Sequence, residues 1–146
     1  MSAVSRILPA FVLVAGLCIL YPMQRWVDEG HNRGRLEIIS EVFSQDYRGH
    51  SPGSEPANYQ QLVEIERKFH EAFPDVRITT HQIVAEGDWV VTRWTLAGTY
   101  KPAGKQVDVT GMTMARFADG KIVEDWQNMD TFGLMKQIDA LPTSAK

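Results

Sequence analysis

Apolar residues recur at helical spacing through the first half of the chain and alternate with polar ones through most of the second. Tyr21-Pro22 opens a helical stretch, and Pro22 suits its first turn because the missing N–H would have no partner there. Met23, Trp26, Val27 and Gly30 form the apolar stripe, and Asn32-Arg33-Gly34 ends the helix. Leu36–Phe43 reads as a second, short helix. Ser44–Ala57, rich in Pro, Gly and Ser, reads as a loop. Asn58 is placed to cap a third helix with Gln61 as its capping-box partner. Leu62, Ile65, Phe69, Ala72 and Phe73 give that helix a core-facing stripe, and Pro74 stops it.

After Pro74 the period changes to two. Asp75–Glu86, Trp89–Tyr100, Gln106–Phe117 and Lys121–Asp130 read as four strands, separated by Gly87-Asp88, by Lys101–Lys105 and by Ala118-Asp119-Gly120. Thr131–Leu141 closes the chain with a short helix. Helices followed by an antiparallel meander predict an α+β fold, with the N-terminal helices packed on a curved sheet. Strands of roughly ten to twelve residues exceed the usual length and favour a cone or half-barrel with an open mouth and a pocket.

Composition narrows the function. The 146 residues are 44% hydrophobic and 23% charged, as in a single globular domain with its own core. A formal charge of −3 offers no basic stripe for nucleic acid. Cys18 is the one cysteine, so neither an intramolecular disulfide nor a Cys-based zinc site is available. Ile7–Leu20 carries no charge. It is short for a membrane span, which needs about twenty apolar residues, and it suits the apolar part of a secretory signal. Residues 1–20 are therefore read as a leader, 21–142 as the domain and 143–146 as a tail. The leader implies a secreted or periplasmic protein. An uncleaved anchor, which would be the chain's only membrane contact, and a cytoplasmic extension packed on the core stay open.

Strand alternation proposes a pocket wall. In the last strand Ile122, Glu124, Trp126, Asn128 and Asp130 share one face, which sets an aromatic, an amide and carboxylates side by side. A carboxyl in an apolar pocket has a raised pKa and serves as acid or base near neutrality. Asp130 also precedes a helix, where an aspartate caps. Arg93 shares a strand face with Trp89, Val91 and Thr95. It faces either a pocket, where it would steady an oxyanion, or solvent. His50 lies in the polar loop, as a ligand contact or a surface residue. His70-Glu71 lacks the second histidine of a zinc-protease helix, and there is no phosphate loop or Gly-x-Ser-x-Gly elbow. No metal or cofactor is expected.

Taken in order, these pieces resemble one family. They are Asn32-Arg33-Gly34, Tyr47 with His50-Ser51-Pro52, Ala72-Phe73-Pro74-Asp75, Glu86-Gly87-Asp88, Arg93-Trp94-Thr95, Gly98-Thr99 and Arg116-Phe117. Asp119–Glu124, Trp126, Asp130-Thr131, Gly133-Leu134, Gln137 and Leu141-Pro142 continue the series. The chain from about residue 20 to 142 resembles the SnoaL-like polyketide cyclases, also described as ester cyclases, of the nuclear-transport-factor-2-like superfamily. The resemblance implies a cofactor-independent enzyme whose late-sheet aspartate is the acid/base for an intramolecular aldol or ester cyclisation. Asp130 is the matching position. His50 and Arg93 would orient and polarise, and Trp126, Asn128, Tyr100 and Trp94 would contact a small apolar, aromatic or polyketide-like substrate. A homodimer is implied as well. The Lys101–Lys105 turn is shorter than the family's usual insert, and Thr99-Tyr100 stands where the family has Thr-His. A non-catalytic module that holds an apolar ligand in the same cone, or a dimer subunit with a vestigial cavity, are the alternatives; fold alone does not choose.

Overall fold

The computed structural model describes residues 18–141. Helix α1 occupies 18–33, widening into a π turn over Trp26–His31. It is already formed at Cys18, ahead of the expected Tyr21 start, and Ile19 is buried in the core. The rest of the expected leader and the tail lie outside the described residues. Among the described residues no helix is long and apolar enough to cross a membrane. A helical turn at Leu36–Ile38 runs into α2 (Ile39–Val42). Then come β1 (Phe43–His50), β2 (Ala57–Asn58), α3 (Tyr59–Ala72), β3 (Arg77–Glu86), β4 (Trp89–Tyr100), β5 (Lys105–Ala118), β6 (Lys121–Met129) and α4 (Thr131–Gln137).

The strands form one six-stranded sheet in the order β2-β1-β6-β5-β4-β3. It curves around the helices without closing. β1 runs parallel to β6, and the other neighbours are antiparallel. The α+β architecture is the expected one. The Ser44–Ala57 segment departs from expectation: its first half is β1, and Phe43 belongs to that strand and not to the preceding helix. Phe43 and Tyr47 are the buried anchors of β1.

The local signals act as anticipated. Asn58 Oδ1 accepts from the Gln61 N–H at 3.0 Å, and Gln61 Oε1 accepts from the Asn58 N–H at 2.9 Å. These bonds satisfy donors that the first helical turn leaves free. Three of the family-like pieces are clamps at strand ends. Asn32 reproduces a strand partner for β3, donating to Ile78 O at 2.9 Å and accepting from the Ile78 N–H at 2.6 Å. Asp75 accepts from both the N–H and the hydroxyl of Thr99, each at 2.7 Å. Gln137 holds α4 to β5 through both backbone groups of Asp108, at 2.8 and 2.9 Å. Each clamp satisfies backbone groups that the sheet leaves unpaired.

The core is divided. One cluster gathers Met23, Trp26, Ile38, Phe43, Tyr47, Leu62 and Ile122. The other gathers Val27, Phe73, Val76, Ile78, Trp94, Leu96 and Val109. The space between them is a cavity.

Candidate active site

The cavity measures about 270 Å³. Trp26, Phe43 and Ile122 wall it on one side, and Ile78, Trp94 and Leu96 on the other. Ser51, Pro52, Ile65, Met129 and Thr131 are exposed and frame its mouth. Trp94 is held by its indole N–H, which donates to Thr113 Oγ1 at 2.9 Å. It lies flat against Gly111, where any side chain would overlap the ring.

The inward face of β6 is not the expected one. Phe117 pairs with Ile122 but Arg116 pairs with Glu124, so Val123 is an extra residue in the ladder. A bulge of one residue exchanges the two faces beyond it. Ile122, Asp125, Gln127 and Met129 therefore line the cavity, while Glu124, Trp126 and Asn128 point outward.

Asp125 is 4% exposed and is the carboxylate of this wall. The Tyr47 hydroxyl donates to its Oδ1 at 2.9 Å. Burial pushes the Asp125 carboxyl up to about 6, against the smaller opposing pulls of the Tyr47 hydrogen bond and of His50. Tyr47 is held in its neutral form by its own burial and by the charge of Asp125. Glu66 on α3 and His31 in the π turn also line the cavity. Burial first, then the negative charge of Asp125, pushes Glu66 up to about 8. Burial, helped by His70, pushes His31 down to about 3. Glu66 Oε2 and His31 Nδ1 are 3.6 Å apart. The separation would pass for an ion pair, but burial neutralises both groups, so at neutral pH they are an uncharged acid and an uncharged imidazole. Near pH 7 the cavity therefore holds one carboxylate and one carboxylic acid, a base on β6 and an acid on α3.

The residues singled out by sequence are dispersed. Trp94 lines the cavity. Asp130 is exposed, and its Oδ1 accepts from the Gly133 N–H at 2.8 Å as the N-cap of α4. His50 lies on the outer side of the sheet, 2.9 Å from Glu124 Oε1 and stacked on Trp126 at 4.7 Å. Arg93 is an outward, exposed side chain whose Nε donates to Gln82. Asn128 is exposed, and Tyr100 packs on Phe73 in the second core cluster. Among the described residues no group of three or more His, Cys, Asp and Glu is arranged to hold a metal ion.

Asp125, Tyr47, Glu66 and His31 were not legible as a set. Glu66 left a trace, since Leu62, Glu66, Phe69 and Phe73 follow helical spacing and put a carboxylate into an apolar stripe. Asp125 left none, because alternation without the bulge turns it outward.

Comparison with known proteins fits this geometry. The family model for SnoaL-like polyketide cyclases matches residues 22–138. Among solved structures, a candidate SnoaL-like polyketide cyclase from Jannaschia sp. CCS1 superposes with a TM-score of 0.79 at 24% identity, covering 86% of this chain and 94% of that one. IdmH, a candidate polyketide cyclase from Streptomyces antibioticus, gives 0.74 at 26% identity, covering 82% and 97%. TsrD from Streptomyces laurentii gives 0.76 at 23% identity, covering 85% and 96%. No curated protein matches the chain significantly by sequence. With a matched region that runs from α1 through α4 and encloses the cavity, the chain belongs to the SnoaL-like polyketide cyclase family.

Proposed function

We propose that the protein is a small-molecule enzyme of the cyclase or isomerase type that moves a proton at carbon, with Asp125 as the acid/base. The observation that carries this reading is a buried carboxylate, oriented by the Tyr47 hydroxyl, on the wall of a largely apolar cavity. At neutral pH Asp125 takes a proton from a carbon next to a carbonyl. The C–H bond breaks, its electron pair moves into the carbonyl oxygen, and an enolate forms. In an aldol-type closure the enolate carbon attacks a second carbonyl of the same molecule. A C–C bond forms, and the proton returns from Asp125 to the new alkoxide oxygen. Asp130, His50 and Arg93 take other parts in this reading. Asp130 caps the helix beside the mouth, and the other two belong to the outer face. A second copy of the chain would cover that face.

The test is α-proton exchange of simple aryl ketones in D₂O, followed by NMR. General-base catalysis is worth about 10²–10⁴-fold, so Asp125→Asn should lose an acceleration of that order while Asp130→Asn keeps it. Ketones that bind without faster exchange in the wild-type protein would favour the ligand-binding module instead.

A further inference from the structure

Glu66 is a buried carboxyl that the proton-transfer step above does not use. Its side chain is 8% exposed, it lines the cavity, and its Oε2 has no hydrogen-bond partner among the described residues. His31 Nδ1, on the same wall, is equally unpartnered. At 3.6 Å the two atoms are too far apart to bond each other. Leaving buried polar atoms unpaired is destabilising, so such a pair calls for a group that completes it. The pair is also held in place. The ring nitrogens of His70 lie 2.9 Å from Glu66 O and 3.1 Å from His31 O, which ties the two helices together at this point. Trp26 and Phe69 pack around the His31 ring at 4.7 and 5.8 Å. An oxygen atom set between Glu66 and His31 would receive a hydrogen bond from each.

Size gives a second constraint. An apolar cavity of about 150 Å³ accommodates benzene. The present one, at about 270 Å³, has room for a one- or two-ring molecule.

We propose that Glu66 and His31 are the carbonyl-binding end of the cavity, and that its ligands are compact one- or two-ring ketones. The proposal rests on the cavity being the ligand site. It gives Glu66 the task of donating its proton to the carbonyl oxygen as Asp125 takes the proton from carbon, so that an enol forms; when the enol carbon attacks, the C=O bond re-forms and that proton returns to Glu66.

The experiment compares 2-acetylnaphthalene with 2-ethylnaphthalene, which share a shape but differ in the carbonyl. Affinities for wild type, Glu66→Leu and Glu66→Gln are measured by calorimetry, together with the infrared C=O stretch of the bound ketone. A hydrogen bond of ordinary net strength is worth about fivefold in affinity. The ketone-to-hydrocarbon ratio should therefore fall about fivefold in Glu66→Leu and be kept in Glu66→Gln, which still offers an N–H donor. The C=O stretch should be lower on wild type than on Glu66→Leu. A ratio that is the same in all three proteins overturns the proposal, as does failure of both probes to bind wild type. Neither result touches the dependence of exchange on Asp125, which is read separately. If Glu66→Leu does not fold, a C=O stretch on wild type no lower than that of the ketone in hydrocarbon solvent overturns it.

Discussion

Glu66 occupies a core position of α3, between Leu62 and Phe69, where an aliphatic residue would be expected. Its presence there couples stability to pH. A carboxyl whose pKa rises from 4.5 in the unfolded chain to about 8 in the fold binds its proton more tightly when folded. Its contribution is therefore complete below the unfolded value and is lost as pH rises through the folded one. The wild-type protein should lose on the order of 4–5 kcal/mol relative to Glu66→Gln between those limits. Melting temperatures of the two proteins, taken across that window, check this; parallel curves would contradict it. His31 acts with the opposite sign. Its pKa is lowered by burial, so its contribution is lost as pH falls below its unfolded value. At this scale the sequence revealed side-chain types but not neighbours. Asp125 stood in view beside Trp126, and nothing in the chain said that one residue of slippage would turn it inward.

Two features of single elements create the site. Val123 bulges β6, and Gly49 makes room in β1. Any side chain at Gly49 would overlap the Tyr47 hydroxyl, the group that donates to Asp125. Gly49→Ala should displace that hydroxyl at an overpacking cost of about 1–3 kcal/mol. Because the Tyr47 hydrogen bond holds the Asp125 pKa down, its loss lets that value rise. The acidic limb of the pH–rate profile, where protonation of Asp125 stops it acting as a base, should then move from about 6 to higher pH, and Tyr47→Phe should move it the same way without overpacking. An unmoved limb in both variants would separate Tyr47 from the chemistry. β3, β4, β5, β6 and α3 were legible because periodicity, caps and hairpin turns are local properties of the chain. β1 was not. Ser44-Gln45-Asp46-Tyr47-Arg48-Gly49-His50 has loop chemistry, and its extended form depends on parallel pairing with β6, a partner far along the sequence.

The whole molecule presents two faces of one sheet. Helices and the cavity occupy the concave side. On the other, the register sets Val84, Val91, Met114, Trp126 and His50 in a single row across five strands, with Met112 exposed beside it. A contiguous apolar row of this kind suits an isologous contact. The protein should therefore run as a dimer in light scattering, and Met114→Glu should run as a monomer with unchanged circular dichroism. A monomeric wild type would contradict the assembly. The α+β cone was legible because helices followed by long alternating strands leave few other ways to bury both kinds of apolar face. The placement of the chemistry inside it was not. The most direct test of that placement is a carbon-detected NMR titration of the Asp125 carboxyl, with Asp125→Asn to identify its signal. The structure predicts an apparent pKa near the value of about 6 set by burial. A titration at or below the ordinary aspartate value of about 3.9 would put Asp125 in water and contradict its role as the cavity's base.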